Sequence, residues 1–258
     1  MNNSMKEYIV SSLDKGVRMD GRKLDEFREP VVIETGISKS AEGSARVKIG
    51  ETEVVAGVKL DVGEPYADGA DEGVLICGAE LLAMSSPDFS LGPPDAQTTE
   101  LARVVDRGIR NSKMINVKKL CVKEGELVWM VFLDIYTIND AGNLIDASAL
   151  AAIAALRSAV FPVLKDGKVQ FGEHTKEKLP LVNLPVSCTL AKIKNHIVLD
   201  PMNEEEKCLD SRLTITISEQ GHIHAMQKGG EGSLTPEDIS AMVEIAMQKS
   251  KVLRGQLP

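Results

Sequence analysis

Ser44-Ala-Arg-Val-Lys-Ile49, Gly50-Glu51 and Thr52-Glu-Val-Val-Ala-Gly-Val-Lys-Leu-Asp61 decide the fold class. Two extended runs joined by a Gly-Glu pair read as a β-hairpin. Further extended runs at residues 31–38 and 74–81 widen it into a sheet. Residues 120–122 and 127–138 add two strands around Glu124-Gly125. Residues 85–97 carry Pro87, Gly92, Pro93 and Pro94 and therefore read as a loop. Helices flank this sheet region. Ser4-Met-Lys-Glu7 is a capping box that opens a short helix with Met5, Tyr8, Ile9 and Leu13 at helical spacing and Gly16 as its stop. Asp146 is placed to cap an alanine-rich helix over residues 147–161.

Lys165-Asp-Gly-Lys168 and the polar stretch to Lys178 mark the best boundary, and the pattern restarts beyond it. Strands are expected at residues 186–193, 196–199, 213–218 and 222–227, then a helix over 236–253 capped by Thr235. Sheet followed by helix, twice, predicts a duplicated α+β chain with halves at residues 1–164 and 165–258 in one compact unit.

With 258 residues and 43% hydrophobic content, the chain has ample material for a core. It has no apolar run of about 18 residues, and Met1-Asn-Asn-Ser-Met-Lys-Glu lacks a secretory signal, so a cytoplasmic location and no membrane contact are expected. Cys77, Cys121, Cys188 and Cys208 form no CxxC pair, which implies a reducing compartment and no zinc site. Net charge −8 argues against a broad nucleic-acid coat.

One segment departs from that acidity. Glu100-Leu-Ala-Arg-Val-Val-Asp-Arg-Gly-Ile-Arg110 puts Leu101, Val104, Val105 and Ile109 on one helical face and Arg103, Arg107 and Arg110 on the other. From Arg103 to Lys123 seven bases face the single acid Asp106, a local charge of +6. Such a stripe suits phosphate or carboxylate, although a solvated face paired with neighbouring acids would look the same.

Other motifs favour plain readings. His222 and His224 share a strand face, but no third ligand is evident and no metal is expected. Glu204-Glu-Glu206 reads as a solvated turn, and Lys228-Gly-Gly-Glu-Gly-Ser233 as a flexible connector without phosphate-loop spacing. For Asp134 and Asp146, structural roles are preferred, at a strand end and at a helix cap.

Arg18-Met-Asp-Gly-Arg22, the run Ala41 to Val54, Asp134, Gly142-Asn-Leu-Ile-Asp-Ala147 and Val198-Leu-Asp-Pro-Met-Asn-Glu-Glu-Glu206 together resemble the RNase PH family of phosphorolytic 3′-to-5′ exoribonucleases. The similarity runs from about Tyr8 to Leu253 and is greatest to the family's non-catalytic ring subunits in the archaeal exosome. It implies an RNase PH-like fold of two duplicated βαβα-type halves, like ribosomal protein S5 domain 2, with an N-terminal helix. It also implies a hexameric trimer of heterodimers alternating with a catalytic RNase PH-like subunit, RNA-binding cap proteins, single-stranded RNA as ligand, and no cofactor.

In catalytic relatives a Gly-Ser/Thr-Arg turn holds phosphate, and an arginine pair precedes the long helix. Here the turn reads Gly142-Asn143-Leu144, a degenerate phosphate site, and Ala96-Gln97 stand close to where the pair would fall. Leucine supplies neither charge nor hydrogen bond. An acid near the expected catalytic position is Asp210. The resemblance therefore implies no catalytic residue of the chain's own, with Arg103, Arg107 and Arg110 holding RNA at the boundary with a catalytic neighbour. The alternative is an active phosphorolytic exonuclease using Asp210 and Asp200.

Overall fold

The computed structural model describes residues 3–258. The hairpin that decides the fold is present as β2 (Gly43–Ile49) and β3 (Thr52–Gly63), turning at Gly50-Glu51 with Ile49 opposite Thr52. Both strands bury alternate residues, so one face carries Ala45, Val47, Ile49, Val54, Ala56, Val58 and Leu60. Around them β1 (Val31–Thr35), β4 (Val74–Glu80) and β6 (Leu127–Asn139) give the order β1-β2-β3-β6-β4. A short β5 (Cys121–Lys123) pairs with β6, and only β4 runs parallel to its neighbour. A second sheet of β9 (Val186–Ile193), β10 (His196–Leu199), β11 (Ser211–Ile217) and β12 (Ile223–Gly229) is antiparallel in the order β10-β9-β11-β12.

Between the sheets lies α3 (Leu144–Ser158), buried almost along its whole length from Leu144 to Leu156. Its alanines allow that closeness. Gly43 on β2 is the tightest point, since a Cβ there would stand 2.4 Å from the Ala155 carbonyl oxygen. Helix α2 (Ala96–Asn111) packs on β4, β12 and α3, and α5 (Pro236–Gly255) covers β9 and β11. Thr235 caps α5 with a reciprocal Asp238 box, as its sequence predicts.

Four local expectations are corrected. The described N-terminal helix α1 (Asn3–Leu13) already includes Ser4, so Ser4 does not cap it. Its buried stripe is Ile9 and Leu13 against Ala191, Ile193 and Val198, which leaves Met5 and Tyr8 exposed. Helix α3 starts at Leu144 and ends at Ser158, and Phe161 belongs to β7 (Val160–Lys165). The polar boundary stretch, where no strand was expected, is sheet: β7 and β8 (Lys168–Lys178) form an antiparallel hairpin turning at Asp166-Gly167. All four cysteines are free thiols. No described helix is long and apolar enough to cross a membrane.

Candidate functional site

Strand β6 ends at Asn139, and Asp140-Ala141 deliver the chain to the Gly142-Asn143-Leu144 turn that opens α3. Gly142 sits at φ +101, where a Cβ would stand 2.6 Å from the Pro201 carbonyl oxygen, so only glycine fits against the 200–203 segment. Asn143, at φ +49, is the N-cap of α3. Its Nδ2 donates to Asp146 Oδ2 at 2.8 Å and to Asp200 Oδ1 at 2.7 Å. Asp146 is therefore not the cap. It lies one turn inside, fully buried, accepting from the Thr189 backbone N–H at 2.8 Å and from Thr189 Oγ1 at 2.7 Å. Burial, with Asp200 nearby, pushes its carboxyl up to about 7.

Under the turn is a buried ionic network that joins three of the motifs singled out in the sequence through Arg28, a residue the sequence did not single out. Asp200 accepts from Arg28 Nε at 2.9 Å, Arg28 Nη2 at 2.8 Å and the Arg28 backbone N–H at 2.8 Å. Arg22 Nη1 approaches Asp200 Oδ2 at 3.2 Å. Burial alone would raise the Asp200 carboxyl, but Arg28 and Asn143 outweigh it and hold it below the usual carboxylate value. Arg28 also donates to the Ala141 and Gly142 carbonyls, which locks the turn from below. Arg18, 2% exposed, pairs with the buried Glu205, with Nε to Oε1 at 2.9 Å. Glu204-Glu-Glu206 is accordingly no solvated turn but part of a single helical turn, α4 (Asn203–Glu206).

Glu206, like Arg28, has a role that sequence reasoning missed. Its Oε1 accepts the Asn143 backbone N–H at 2.9 Å, while Asp140 Oδ1 accepts the Gly142 N–H at 3.0 Å. Two backbone donors of the turn are thus satisfied by carboxyl groups of the same chain. Glu206 and Asp140 line a cleft of about 310 Å³ with Asp88, Glu100, Leu144, Lys207 and Arg212. Both bases are engaged, Lys207 with Asp88 at 3.3 Å and Arg212 with Glu100 at 2.6 Å. Burial, with Asp140 beside it, raises Glu206 to about 7. Asp210 is elsewhere. It accepts from Lys6 Nζ at 2.9 Å and the Lys194 backbone N–H at 2.7 Å, and Lys6 lowers its pKa. Asp134 is not at a strand end but midway along β6 on its exposed face, where burial and Glu80 raise its pKa.

The raised Glu206 carboxyl fixes the sign of a pH effect. Between the unfolded value near 4.5 and about 7, the folded chain keeps a proton that the unfolded chain releases, so this group's contribution to stability declines as pH rises through that window. Glu206→Gln retains an acceptor for Asn143 without the charge. In thermal melts it should exceed wild type at pH 8, and the difference should vanish near pH 4.5.

The arginine helix borders this cleft, since Glu100 lines both it and a neighbouring groove that contains Arg103 and Arg107. Asp95 caps α2 through Oδ1 to the Thr98 N–H at 2.8 Å. Leu101, Val104, Val105 and Ile109 are buried and the three arginines exposed, as their spacing predicts. The arginines are not equivalent. Arg110 donates to Asp106 at 2.7 and 3.1 Å and to the Leu75 carbonyl at 3.0 Å. Among the described residues Arg103 and Arg107 have no ion-pair partner. Lys118 and Lys123 are also paired, with Asp71 and Glu126, so part of the +6 stretch is neutralised within the chain.

His222 and His224 stack edge to face with centroids 6.4 Å apart, and no cluster of three metal-ligating side chains occurs among the described residues. The 228–233 segment is pinned by the Gly232 N–H to the Asp210 carbonyl at 2.7 Å, so it is not a free connector.

Residues 26–162 match the model for domain 1 of the 3′ exoribonuclease family, and residues 183–249 match that for its domain 2. The chain is 49% identical over 249 residues to exosome complex component Rrp42 of Thermoplasma acidophilum, covering 96% of this chain and 93% of the relative. It is 48% identical over 246 residues to exosome complex component Rrp42 of Methanothermobacter thermautotrophicus, covering 95% and 90%. A chain in the solved structure of the Archaeoglobus fulgidus exosome with RNA bound to the active site superposes with TM-score 0.91 at 43% identity, covering 99% of this chain and 98% of that one.

Proposed function

The chain belongs to the 3′ exoribonuclease, or RNase PH, family, and from that premise we propose that it is a non-catalytic subunit of an exosome ring of the archaeal kind. In this reading it alternates with a catalytic RNase PH-like subunit in a trimer of heterodimers. It shapes the neighbour's active site, helps to hold single-stranded RNA and carries RNA-binding cap proteins, in the cytoplasm. Its two halves divide at the β7–β8 hairpin, near residues 164 and 165, within one compact unit.

One observation carries the non-catalytic part. The cleft at Gly142-Asn143-Leu144 holds the Asp140 and Glu206 carboxyls on its backbone donors, and both bases lining it are already ion-paired. A phosphate entering there would face acids and gain no unpaired guanidinium or ammonium. Phosphoryl chemistry depends on cationic stabilisation of developing charge.

The raised Glu206 favours a second reading, in which the chain is itself the enzyme, because an acid titrating near neutrality is what general acid–base catalysis requires. Asp200 and Asp210 do not serve that reading, being spent on Arg28 and on Lys6. Incubating the purified chain with oligo(A) and inorganic phosphate separates the two. The first reading expects no nucleoside diphosphates from the chain alone, and a particle of about six protomers that releases them once the catalytic subunit is co-expressed. Phosphorolysis by the chain alone, lost in Glu206→Gln, would establish the second.

A further inference from the structure

A cleft of about 630 Å³ opens at the C-terminal end of α2, apart from the Gly142 turn and its network. Its floor is apolar, made by Leu75, Ile109 and Ile115, each 3–6% exposed. Tyr66 stands at its rim with 63% of its surface exposed. An aromatic ring left in water beside an apolar hollow is an unfilled contact, since burying it would be favourable.

Cations border the ring. Arg110 lines the cleft together with Tyr66, and Asp106 and the Leu75 carbonyl hold the guanidinium in place. Lys113 follows the helix end in a left-handed turn, at φ +52, and has no ion-pair partner among the described residues. A further base, Lys118, is paired with Asp71. Asp68 and Glu72 lie on the same loop as Tyr66, so the loop side disfavours phosphate and the α2 side receives it.

We propose that this cleft takes one nucleotide of a single-stranded RNA, with the base stacked on Tyr66 above Leu75 and Ile109 and the phosphate held by the unpaired Lys113, beside the Asp106-paired Arg110. Exposed aromatics set among cations are how single strands are bound without regard to sequence. Arg103, Arg107 and Arg110 are on one face of α2 and lead into the cleft, so a strand lying along the helix would reach it. In that respect the inference rests on the RNA-binding role proposed for α2.

Fluorescence anisotropy of a labelled oligo(A) with the full chain at low salt tests it. Tyr66→Ala should bind at least about fivefold more weakly, while Tyr66→Phe should bind like wild type. Lys113→Ala should weaken binding and reduce its salt dependence. If Tyr66→Ala binds normally while the Arg103→Glu/Arg107→Glu variant does not, the cleft assignment falls and the role of α2 stands. If neither variant weakens binding, both fall. If Tyr66→Ala binds RNA normally but no longer co-purifies with the catalytic subunit, the cleft is a protein contact and the proposal is overturned. AMP binding more tightly than the oligonucleotide would overturn the assignment to a strand.

Discussion

Asp200→Ala should cost about 3–5 kcal/mol of stability, because removing one partner of a buried pair strands the other charge without compensation. Here the stranded group is Arg28, whose guanidinium and backbone N–H both converge on the Asp200 carboxylate at 2.8–2.9 Å, with Asn143 at 2.7 Å and Arg22 at 3.2 Å beside them. For a domain of this size such a loss lowers the melting temperature by roughly 6–20 °C. The position adds to the cost, since Asp200 lies at φ +50, which asparagine and aspartate tolerate better than alanine. Asp200→Asn keeps the backbone and one acceptor, so it should fall between wild type and alanine. Acid should act in the same sense. The Asp200 carboxyl is held below its unfolded value of 3.8, so its stabilising contribution is present above that pH and is lost as pH falls through the folded value. In melts across pH, the wild-type advantage over Asp200→Asn should therefore shrink at the acid end, and an advantage that persists unchanged to pH 2 would show that Asp200 is not the charged anchor described here.

That network also shows where sequence reading stops. The hairpin of β2 and β3 and the faces of α2 were legible because their signals are local, namely extended runs joined by a Gly-Glu turn and apolar spacing at 3.6 residues. Glu204-Glu-Glu206 looked solvated because nothing near it says otherwise. Its burial depends on Arg18 and Asn143, which are distant in sequence and meet it only in the fold. The β7–β8 hairpin hid for the opposite reason. Its second strand is exposed along nearly all its length, so it shows the composition of a linker. Asn143 was missed as the α3 cap although a glycine followed by asparagine before a helix is a usable signal, both residues tolerating positive φ. That the turn carries Leu144 was plain in the sequence, whereas the carboxyls bound to its N–H groups were not, because Glu206 arrives from a distant part of the chain. The pairing of Arg110 with Asp106 could have been read from their i, i+4 spacing, and it changes which arginines are free for a ligand.

Arg103→Glu combined with Arg107→Glu is the substitution expected to damage RNA degradation most. Both side chains are exposed, neither has an ion-pair partner among the described residues, and both border the groove next to the acidic cleft. Arg110 is a poorer choice, because replacing it would also break its bonds to Asp106 and to the Leu75 carbonyl and so confuse binding with stability. The packed side of α2 is the opposite one, carrying Leu101, Val104, Val105 and Ile109, so the double variant should fold and, on the proposed reading, co-purify with a catalytic subunit as wild type should. A charged hydrogen bond contributes about 1.5–3 kcal/mol, and about 1.4 kcal/mol is a factor of ten. Two such losses, with repulsion added by the new carboxylates, should lower kcat/KM of the assembled particle toward RNA by at least about tenfold. Phosphate contacts of this kind release counterions, so the gap between wild type and variant should narrow as salt is raised. The same degradation rate at low salt in a correctly assembled double variant would mean that the stripe is a solvated face, leaving the chain's part in the proposed ring to its shape alone.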